Sequence, residues 1–402
     1  MSRERLVAQI RSTIEHSRAG SVHLTESVTS IPASNYFDAD RWRAEIDAVF
    51  RRLPLLVAVS AELRNENSFK AIEIAGVPVL ISRSSDGQLR AFVNMCSHRG
   101  AMLVDEGTGV ARRFACPYHN WTYDQNGSLV GIFKAEDFGE VDVDCLGLTR
   151  LPLVERAGLI WVTLQPDSPV DFDVFMSGYD ELLEACGLAQ MNHFASRRLT
   201  GPNWKVCFDG YVDFYHLPIL HKNTFGPNFP ADALFHRVGP HQRVTGPRAN
   251  WEKLAEMPET EWPDASLVSG VWSVFPHASI AGFDVLGHKL YQIARLFPGD
   301  TPEESVTHLD FISTAPRSDE YVEAIEKQID FLLRVVRDED YATGLKIQRT
   351  VRTGAKDRFY FGRNEGGAHY VHGWLDALLS TPDCELNDLF RRGVDAGRLI
   401  NP

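Results

Sequence analysis

No apolar run in this chain approaches the ~18 residues that a membrane-spanning helix requires. The first twenty residues are charged throughout, with no apolar signal-peptide core. A cytoplasmic protein with no membrane partner is the expectation. Positive charge is in deficit: 41 Lys and Arg stand against 54 Asp and Glu, a net charge of -13. That balance argues against nucleic acid or an anionic membrane as the main partner and suits basic protein partners. Cysteine is scarce, with 6 in 402 residues at wide spacings, which does not read as a disulfide framework and fits a reducing compartment. No Gly-x-Gly-x-x-Gly stretch follows a strand pattern, so the fingerprint for a hydride-donating dinucleotide is missing. Repeats and low-complexity tracts are absent too. What remains, 44% apolar and 24% charged residues, is the composition of a globular chain of two or three domains.

Apolar spacing sketches the organisation. Leu6, Ile10 and Ile14 at four-residue intervals make 2–17 a short amphipathic helix, and 39–52 carries a second helical pattern that stops at Pro54. From about Leu56 the period becomes that of strands. Residues 71–82 are rich in Ile and Val, Asp86-Gly87 turns the chain into 88–94, Asn126-Gly127 marks another hairpin, and 159–164 closes a small all-β domain. After Gln165-Pro166 come a helical segment near 179–187, an aromatic-rich stretch 204–229, and strands at 267–280, 288–297 and 305–314. Val322, Ile325, Ile329, Leu332 and Val336 share one face of a helix over 318–336, and a further helix is expected to begin near Asp340. The whole reads as α+β: an N-terminal helical segment (1–40) packing on a larger C-terminal domain (166–402), with an all-β domain (41–165) inserted between them.

Two Cys-plus-His pairs stand in the β-domain, Cys96-Ser97-His98-Arg99-Gly100 and Cys116-Pro117-Tyr118-His119-Asn120-Trp121. Thiolates and imidazoles bind zinc tetrahedrally, or they hold a two-iron cluster with the cysteines on one iron and the histidines on the other. A zinc finger groups Cys with Cys and His with His. Interleaved pairs instead let each loop give one ligand to either iron. Gly100 and Pro117 shape sharp loops, and Tyr118 and Trp121 are placed to shield a cluster. The arrangement resembles the Rieske [2Fe-2S] motif, and the resemblance extends through Val93-Asn94 before the first pair and Tyr123 to Gly127 after the second.

Downstream, Asn203-Trp204-Lys205 is followed by Asp209, Asp213, His216 and His221. If 205–217 is helical, Asp209, Asp213 and His216 share one face. Pro218 then breaks the helix and frees His221 to meet His216 at a common metal, with Asp213 orienting an imidazole. Two imidazoles need one carboxylate to complete the facial set of non-haem iron, and spacing alone does not choose it among 54 acids. Taken with the Rieske pairs, the order Asn-Trp-Lys, then Asp-x-x-His-x-x-x-x-His, resembles the α subunit of Rieske-type non-haem iron ring-hydroxylating oxygenases over nearly the whole chain. The resemblance implies that the third ligand is Asp340, eight residues before Gln348, with Asp338 as the fallback. Arg349-Thr350 departs from the family's Arg-Gly. The stretch from Gly362 to Trp374 fits the family's last helix, where His369 and His372 are read as structural.

For the fold, the resemblance implies a Rieske β-domain inserted in a helix-grip (START/Bet v1-like) catalytic domain with an antiparallel sheet. For cofactors, it implies a [2Fe-2S] cluster on Cys96, His98, Cys116 and His119 and a mononuclear non-haem Fe(II) on His216, His221 and Asp340. Asp213 matches the carboxylate that carries electrons from the cluster of one subunit to the iron of the next in a ring of three, and Asp209 stands with it as a second catalytic acid. The implied reaction uses O2 to cis-dihydroxylate or monohydroxylate an apolar, aromatic small molecule. Electrons then come from a separate flavin-dependent reductase, with or without a ferredoxin. The expected assembly is a homotrimer, α3, or α3β3 with a β subunit. Phe208, Val212, Leu217, Phe225, Trp272, Phe275 and Phe283 are the candidate pocket walls. Family members that oxidise quaternary amines tend to carry Glu at the bridging position, so Asp213 favours the aromatic branch. The alternative enzyme is a Rieske monooxygenase acting as an O- or N-demethylase or on a quaternary amine. A helix-grip protein that binds hydrophobic ligands without chemistry would leave His216, His221 and Asp340 unexplained, and a pure electron carrier would have no use for the larger domain.

Overall fold

The computed structural model describes residues 2–247 and 251–400, which form two units: Phe50–Ser168, and the residues before and after it. The inserted unit is made of antiparallel strands. Ser68–Ile74, Val77–Arg83 and Leu89–Val93 are the middle of a five-stranded sheet edged by Gly107–Val110 and Arg150–Leu151. Arg113–Ala115, Thr122–Asp124 and Leu129–Gly131 form a second sheet, and Leu55–Val59, Leu153–Arg156 and Leu159–Val162 a third. Leu80, Phe92, Phe114, Trp121 and Tyr123 pack into one core that also holds Cys96 and Cys116. Two hairpins turn on an alanine and a glycine with positive φ, Ala75-Gly76 (48° and 76°) and Ala157-Gly158 (56° and 75°). Such two-residue turns match the twist of the strands they join.

The other unit is organised by a seven-stranded antiparallel sheet. Six strands run as a meander, Leu234–Val238, His241–Thr245, Val271–Val274, Ala278–Val285, His288–Pro298 and Ser305–Ser313, and the earlier strand Asn192–Gly201 adds to the far edge beside the last of them. The N-terminal residues belong to this unit. Thr29–Pro32 pairs with Arg358–Phe361, and Leu24–Thr25 with Leu399–Ile400. Among the described residues no helix is long and apolar enough to cross a membrane.

Three sequence expectations change. The strand expected over 267–280 is the short helix Asp264–Leu267 and two strands interrupted at Phe275-Pro276, because proline has no N–H for the ladder. The helix expected over 39–52 is Ala39–Glu45 followed by a π-helix, Ile46–Arg51. The two late helices are one continuous rod: Asp319–Arg334, a π-helix Val335–Tyr341, and Ala342–Val351.

A buried polar knot explains the Asn-Trp-Lys motif and Gln348. Asn203 caps the helix Trp204–Tyr211 by accepting the Lys205 N–H at 2.9 Å. The Lys205 ammonium pairs with the Glu45 carboxylate, both buried, and Glu45 also accepts from Arg41 (2.8 Å) and the Trp204 indole (3.3 Å). Gln348 accepts the Asn203 N–H at 3.1 Å and donates to the Tyr36 carbonyl at 3.2 Å. These bonds hold the helix before His216 against the rod that carries Asp340.

Four histidines of this unit, buried His23, His241 and His277 and half-buried His236, are kept neutral. Burial lowers His23 to about 4, with His16 adding to it, and lowers His236, His241 and His277 each to about 3. Each folded value lies below the ordinary 6.5, so above that pH neither state takes up the proton. Below it the unfolded chain binds protons that the folded chain refuses, and stability falls until the folded values are reached. The unfolding midpoint in urea is therefore expected to be flat from pH 8 to about 6.5 and to fall steadily towards pH 4. An equal midpoint at pH 7.5 and 5 would contradict this.

Candidate metal centres and active-site cavity

Loops 96–101 and 116–121 fold alike. In each, the cysteine N–H donates to the carbonyl five residues on, Cys96 to Ala101 at 2.8 Å and Cys116 to Trp121 at 2.7 Å. The N–H four residues on returns to the cysteine carbonyl, from Gly100 and from Asn120, both at 2.9 Å. Gly100 and Asn120 have φ of 73° and 58°, a region that glycine adopts freely and asparagine tolerates. Both cysteines are buried and free. The imidazoles of His98 and His119 lie edge to face, 4.6 Å between centroids, and Nδ1 of each is buried with no hydrogen-bond partner. Buried polar atoms are nearly always satisfied, so these two nitrogens and two free thiols fit a [2Fe-2S] cluster of mixed ligation.

The surroundings suit that reading. Trp121 stacks on His98 at 4.9 Å, and Tyr118 covers His119 at 3.8 Å. Burial, then the charge of His119, lowers the His98 pKa and favours the neutral ring that a metal needs. The Tyr123 hydroxyl accepts the Ser97 N–H at 2.9 Å and lies 3.3 Å from the Cys96 Sγ. Burial and that contact push the phenol up to about 12.

In the larger unit, the helix Trp204–Tyr211 ends earlier than the spacing predicts, and Asp213 and His216 lie in the irregular segment that follows. Pro218 does not break a helix. It sits in the first turn of the short helix Leu217–Leu220, where its missing N–H costs nothing, and His221 caps the end. The side chains of His216, His221 and Asp340 nonetheless come together in an arrangement that could hold a metal ion. Nε2 of His221 and Nε2 of His216 lie 3.2 and 3.7 Å from Asp340 Oδ1, and the three donor atoms fall within 4.8 Å of one another. Asp340 is in the π-helical turn, a wide-turned irregularity common at functional sites. Asp338 is exposed and paired with Arg337.

The outer nitrogens are held as well. His216 Nδ1 bonds Asp213 Oδ2 at 2.9 Å, and His221 Nδ1 bonds Glu339 Oε2 at 2.6 Å. Each carboxylate keeps a proton on Nδ1 and leaves the Nε2 lone pair free for a metal. Burial lowers the His221 pKa, but the Asp340 and Glu339 carboxylates outweigh it and the net shift is upward. Thr224 donates to Glu339 at 2.9 Å. Glu339 was not legible as a site residue, since its partner lies 118 positions away. Glu339→Gln is expected to weaken iron binding at the His216 site roughly 10- to 100-fold and leave the cluster absorption unchanged; an unaltered iron affinity would remove Glu339 from the site.

Asp209 accepts from the Tyr36 hydroxyl at 2.6 Å and meets His372 Nε2 at 3.1 Å. His369 bonds Thr29 (2.9 Å) and the carbonyls of Phe361 and Gly362 (3.1 Å each).

His216, His221 and Asp340 open on a cavity of about 1060 Å³. Of the candidate wall residues, Leu217, Phe225 and Phe283 line it; Phe208, Val212, Trp272 and Phe275 do not. Phe208 and Val212 are fully buried core. Trp272 lies under Arg243 at 4.5 Å with its indole donating to Val268 O at 3.0 Å, and Phe275 packs beside Trp374. The charged groups among the described lining residues are the acids Asp209, Asp213, Asp340 and Glu365. Burial, with Asp213 and Asp209 nearby, raises the Glu365 pKa.

An apolar cavity beside a two-histidine, one-carboxylate set is a place to add oxygen to an unreactive molecule, and a cluster-competent β-unit in the same chain is a source of electrons. That pairing defines non-haem iron oxygenases of Rieske type. Residues 54–142 match the family model of the Rieske [2Fe-2S] domain, and 188–381 that of the ring hydroxylating alpha subunit catalytic domain. The chain is 28% identical over 337 residues to the carnitine monooxygenase oxygenase subunit of Escherichia coli (strain K12), covering 83% of this chain and 86% of that one. It is 30% identical over 200 residues to the large oxygenase component of the 2,4-dinitrotoluene dioxygenase system of Burkholderia sp. (strain RASC), covering 47% and 43%. In fold it is similar to a quaternary ammonium Rieske monooxygenase bound to an inhibitor (TM-score 0.74, 21% identity, 88% of this chain and 96% of that one). It is similar also to naphthalene 1,2-dioxygenase from Rhodococcus sp. bound to indole (0.72, 17%, 95% and 100%). The chain belongs to the Rieske non-haem iron oxygenases, as an α (large terminal oxygenase) subunit. It is an oxidoreductase, not a binding module, and its cofactors are a Rieske [2Fe-2S] cluster and a mononuclear iron.

Proposed function

We propose that this oxygenase hydroxylates an apolar, aromatic small molecule with O2. The observation that carries the reading is the apolar lining of the cavity on which His216, His221 and Asp340 open: Leu217, Phe225, Val271, Ala281 and Phe283 offer hydrocarbon surface to a ring. Cys96, His98, Cys116 and His119 would hold the cluster, and His216, His221 and Asp340 the iron. When bound, the two centres supply one-electron transfer and the activation of O2.

The protein's own residues do the rest. Asp213 and Glu339 fix the tautomers of the two imidazoles. Leu220 and Phe225 keep water from the face of the site where substrate lies. Asp213, half-buried beside His216, is the exit or entry point for electrons between subunits, and Asp209 keeps a proton donor, Tyr36, within 2.6 Å at the cavity edge. Electrons come from a separate flavin-dependent reductase, with or without a ferredoxin. Exposed apolar side chains on each unit, Met95, Tyr118 and Phe133 on one and Tyr215, Ile219 and Tyr360 on the other, support assembly as a ring of three, with or without a β subunit.

A second reading, oxidation of a quaternary amine, is favoured by the similarity to carnitine monooxygenase subunits over most of the chain. Phe225, 5.6 Å from both His221 and Phe229, would present an aromatic face to such a cation. The two readings separate in one experiment. The iron-loaded protein, reduced chemically without a partner, is exposed to oxygen with aromatic acids, aryl ethers and quaternary amines. Consumption of an aryl compound is the expected result; consumption of quaternary amines alone would replace the first reading with the second.

A further inference from the structure

Most of the cavity's sheet wall is apolar, and one residue is out of character. Gln292, on the strand His288–Pro298, lies directly across from Ala281 of the neighbouring strand. Its side chain lines the cavity, yet the residue is only 6% exposed and its Oε1 is buried with no hydrogen-bond partner. A buried amide oxygen left unpaired is costly, and a methionine of equal length would fill the same wall without that cost. Ser279, on the same face two residues before Ala281, adds a hydroxyl to an otherwise hydrocarbon surface. An amide offers an acceptor and a donor pair, and a half-turn about its last torsion exchanges them.

We infer that Gln292 is the specificity-determining residue of the cavity: its amide takes a hydroxyl or a similar neutral hydrogen-bonding group on an otherwise apolar ring. The inference rests on the aromatic reading of the function and narrows it to ring compounds that carry such a substituent. A plain hydrocarbon leaves the amide unpaired, and so does a trimethylammonium head group, which has no N–H to give. The ring's apolar face then lies against Val271, Ala281 and Phe283, with the carbons away from the substituent turned to His216, His221 and Asp340.

The test uses the iron-loaded holoenzyme and two probes of nearly equal shape, 2-naphthol and 2-methylnaphthalene, with affinities measured by calorimetry and products from a single chemical reduction. Wild type is expected to prefer the naphthol by roughly tenfold or more, as a site built around a hydrogen bond does. Gln292→Met is expected to abolish or reverse that preference with iron content unchanged and an unfolding midpoint equal to or above that of wild type. Gln292→Asn, which keeps the amide but withdraws it by one methylene, is expected to reduce the preference in the same direction and serves if the methionine variant is unstable. Equal preference in wild type and both variants, with naphthalene products still formed, overturns the role of Gln292 alone. No binding or consumption of either probe, with choline consumed, overturns the aromatic reading, and the assignment of Gln292 falls with it.

Discussion

Replacing Asp340 by alanine is expected to strip the mononuclear iron and end turnover while the cluster stays intact. His216 and His221 present Nε2 atoms within 3.7 and 3.2 Å of one carboxylate oxygen, and that carboxylate is the only anion offered to a metal at this point by the three-residue set. Two neutral imidazoles alone hold iron(II) weakly. Loss even of an outer partner of a ligand costs 10- to 100-fold, so loss of the ligand itself exceeds that. Iron analysis should then find only cluster iron, with the visible spectrum of the Rieske centre unaltered. Asp338→Ala is the matched control: Asp338 is exposed and bonded to Arg337, a surface pair worth little, and near-normal activity is expected. An Asp340→Ala protein with full iron content and wild-type turnover would disprove the assignment.

Asp213→Asn, reconstituted with excess iron to offset any weaker binding, should have both metal centres loaded and still lower turnover by roughly 100-fold. Asp213 Oδ2 accepts from His216 Nδ1 at 2.9 Å, and Oδ1 accepts the Tyr215 N–H. The aspartate thus fixes the His216 ring and carries a negative charge at the point proposed for electron entry. Asparagine keeps the size and loses the charge, and its NH2 edge faces either His216 or the backbone N–H unfavourably. Reoxidation of the reduced cluster by oxygen in the presence of substrate is the step to follow. It should become slow in the variant, while iron content and cluster absorption match wild type. Unchanged reoxidation and product formation would remove Asp213 from the electron path.

The chemistry was more legible than the local structure that delivers it. Each Cys-His pair lies within one short loop, so its donors are visible as neighbours in sequence, and the two loops prove to share one hydrogen-bond pattern. His216 and His221 were likewise readable from spacing, although the segment between them is a short proline-started helix and not a break. The carboxylate came only through resemblance, because a π-helical turn leaves no mark on apolar periodicity, which runs unbroken from Ile325 to Val336. Glu339 is invisible for a related reason: next to Asp340 in sequence, it reaches the opposite side of His221.

Turns and walls failed in physical ways. Asp86-Gly87 and Asn126-Gly127 announce themselves through residues that suit tight turns. Ala75-Gly76, Ala157-Gly158 and Leu286-Gly287 adopt positive φ at alanine or leucine, where only the closing strands enforce it. For the one missed candidate that sits in a strand, Trp272, parity decides: its neighbour Val271 lines the cavity and Trp272 faces the other side of the sheet, under Arg243.

A single turnover under isotopically heavy oxygen tests most directly whether this chain oxygenates an aromatic ring. The iron-loaded protein is reduced chemically, mixed anaerobically with 2-naphthol, exposed to heavy O2, and the organic product is weighed by mass spectrometry. Heavy oxygen is expected in the product without any partner protein: two atoms for dihydroxylation, one for monohydroxylation. Oxygen consumed with no label in any ring compound offered would contradict it.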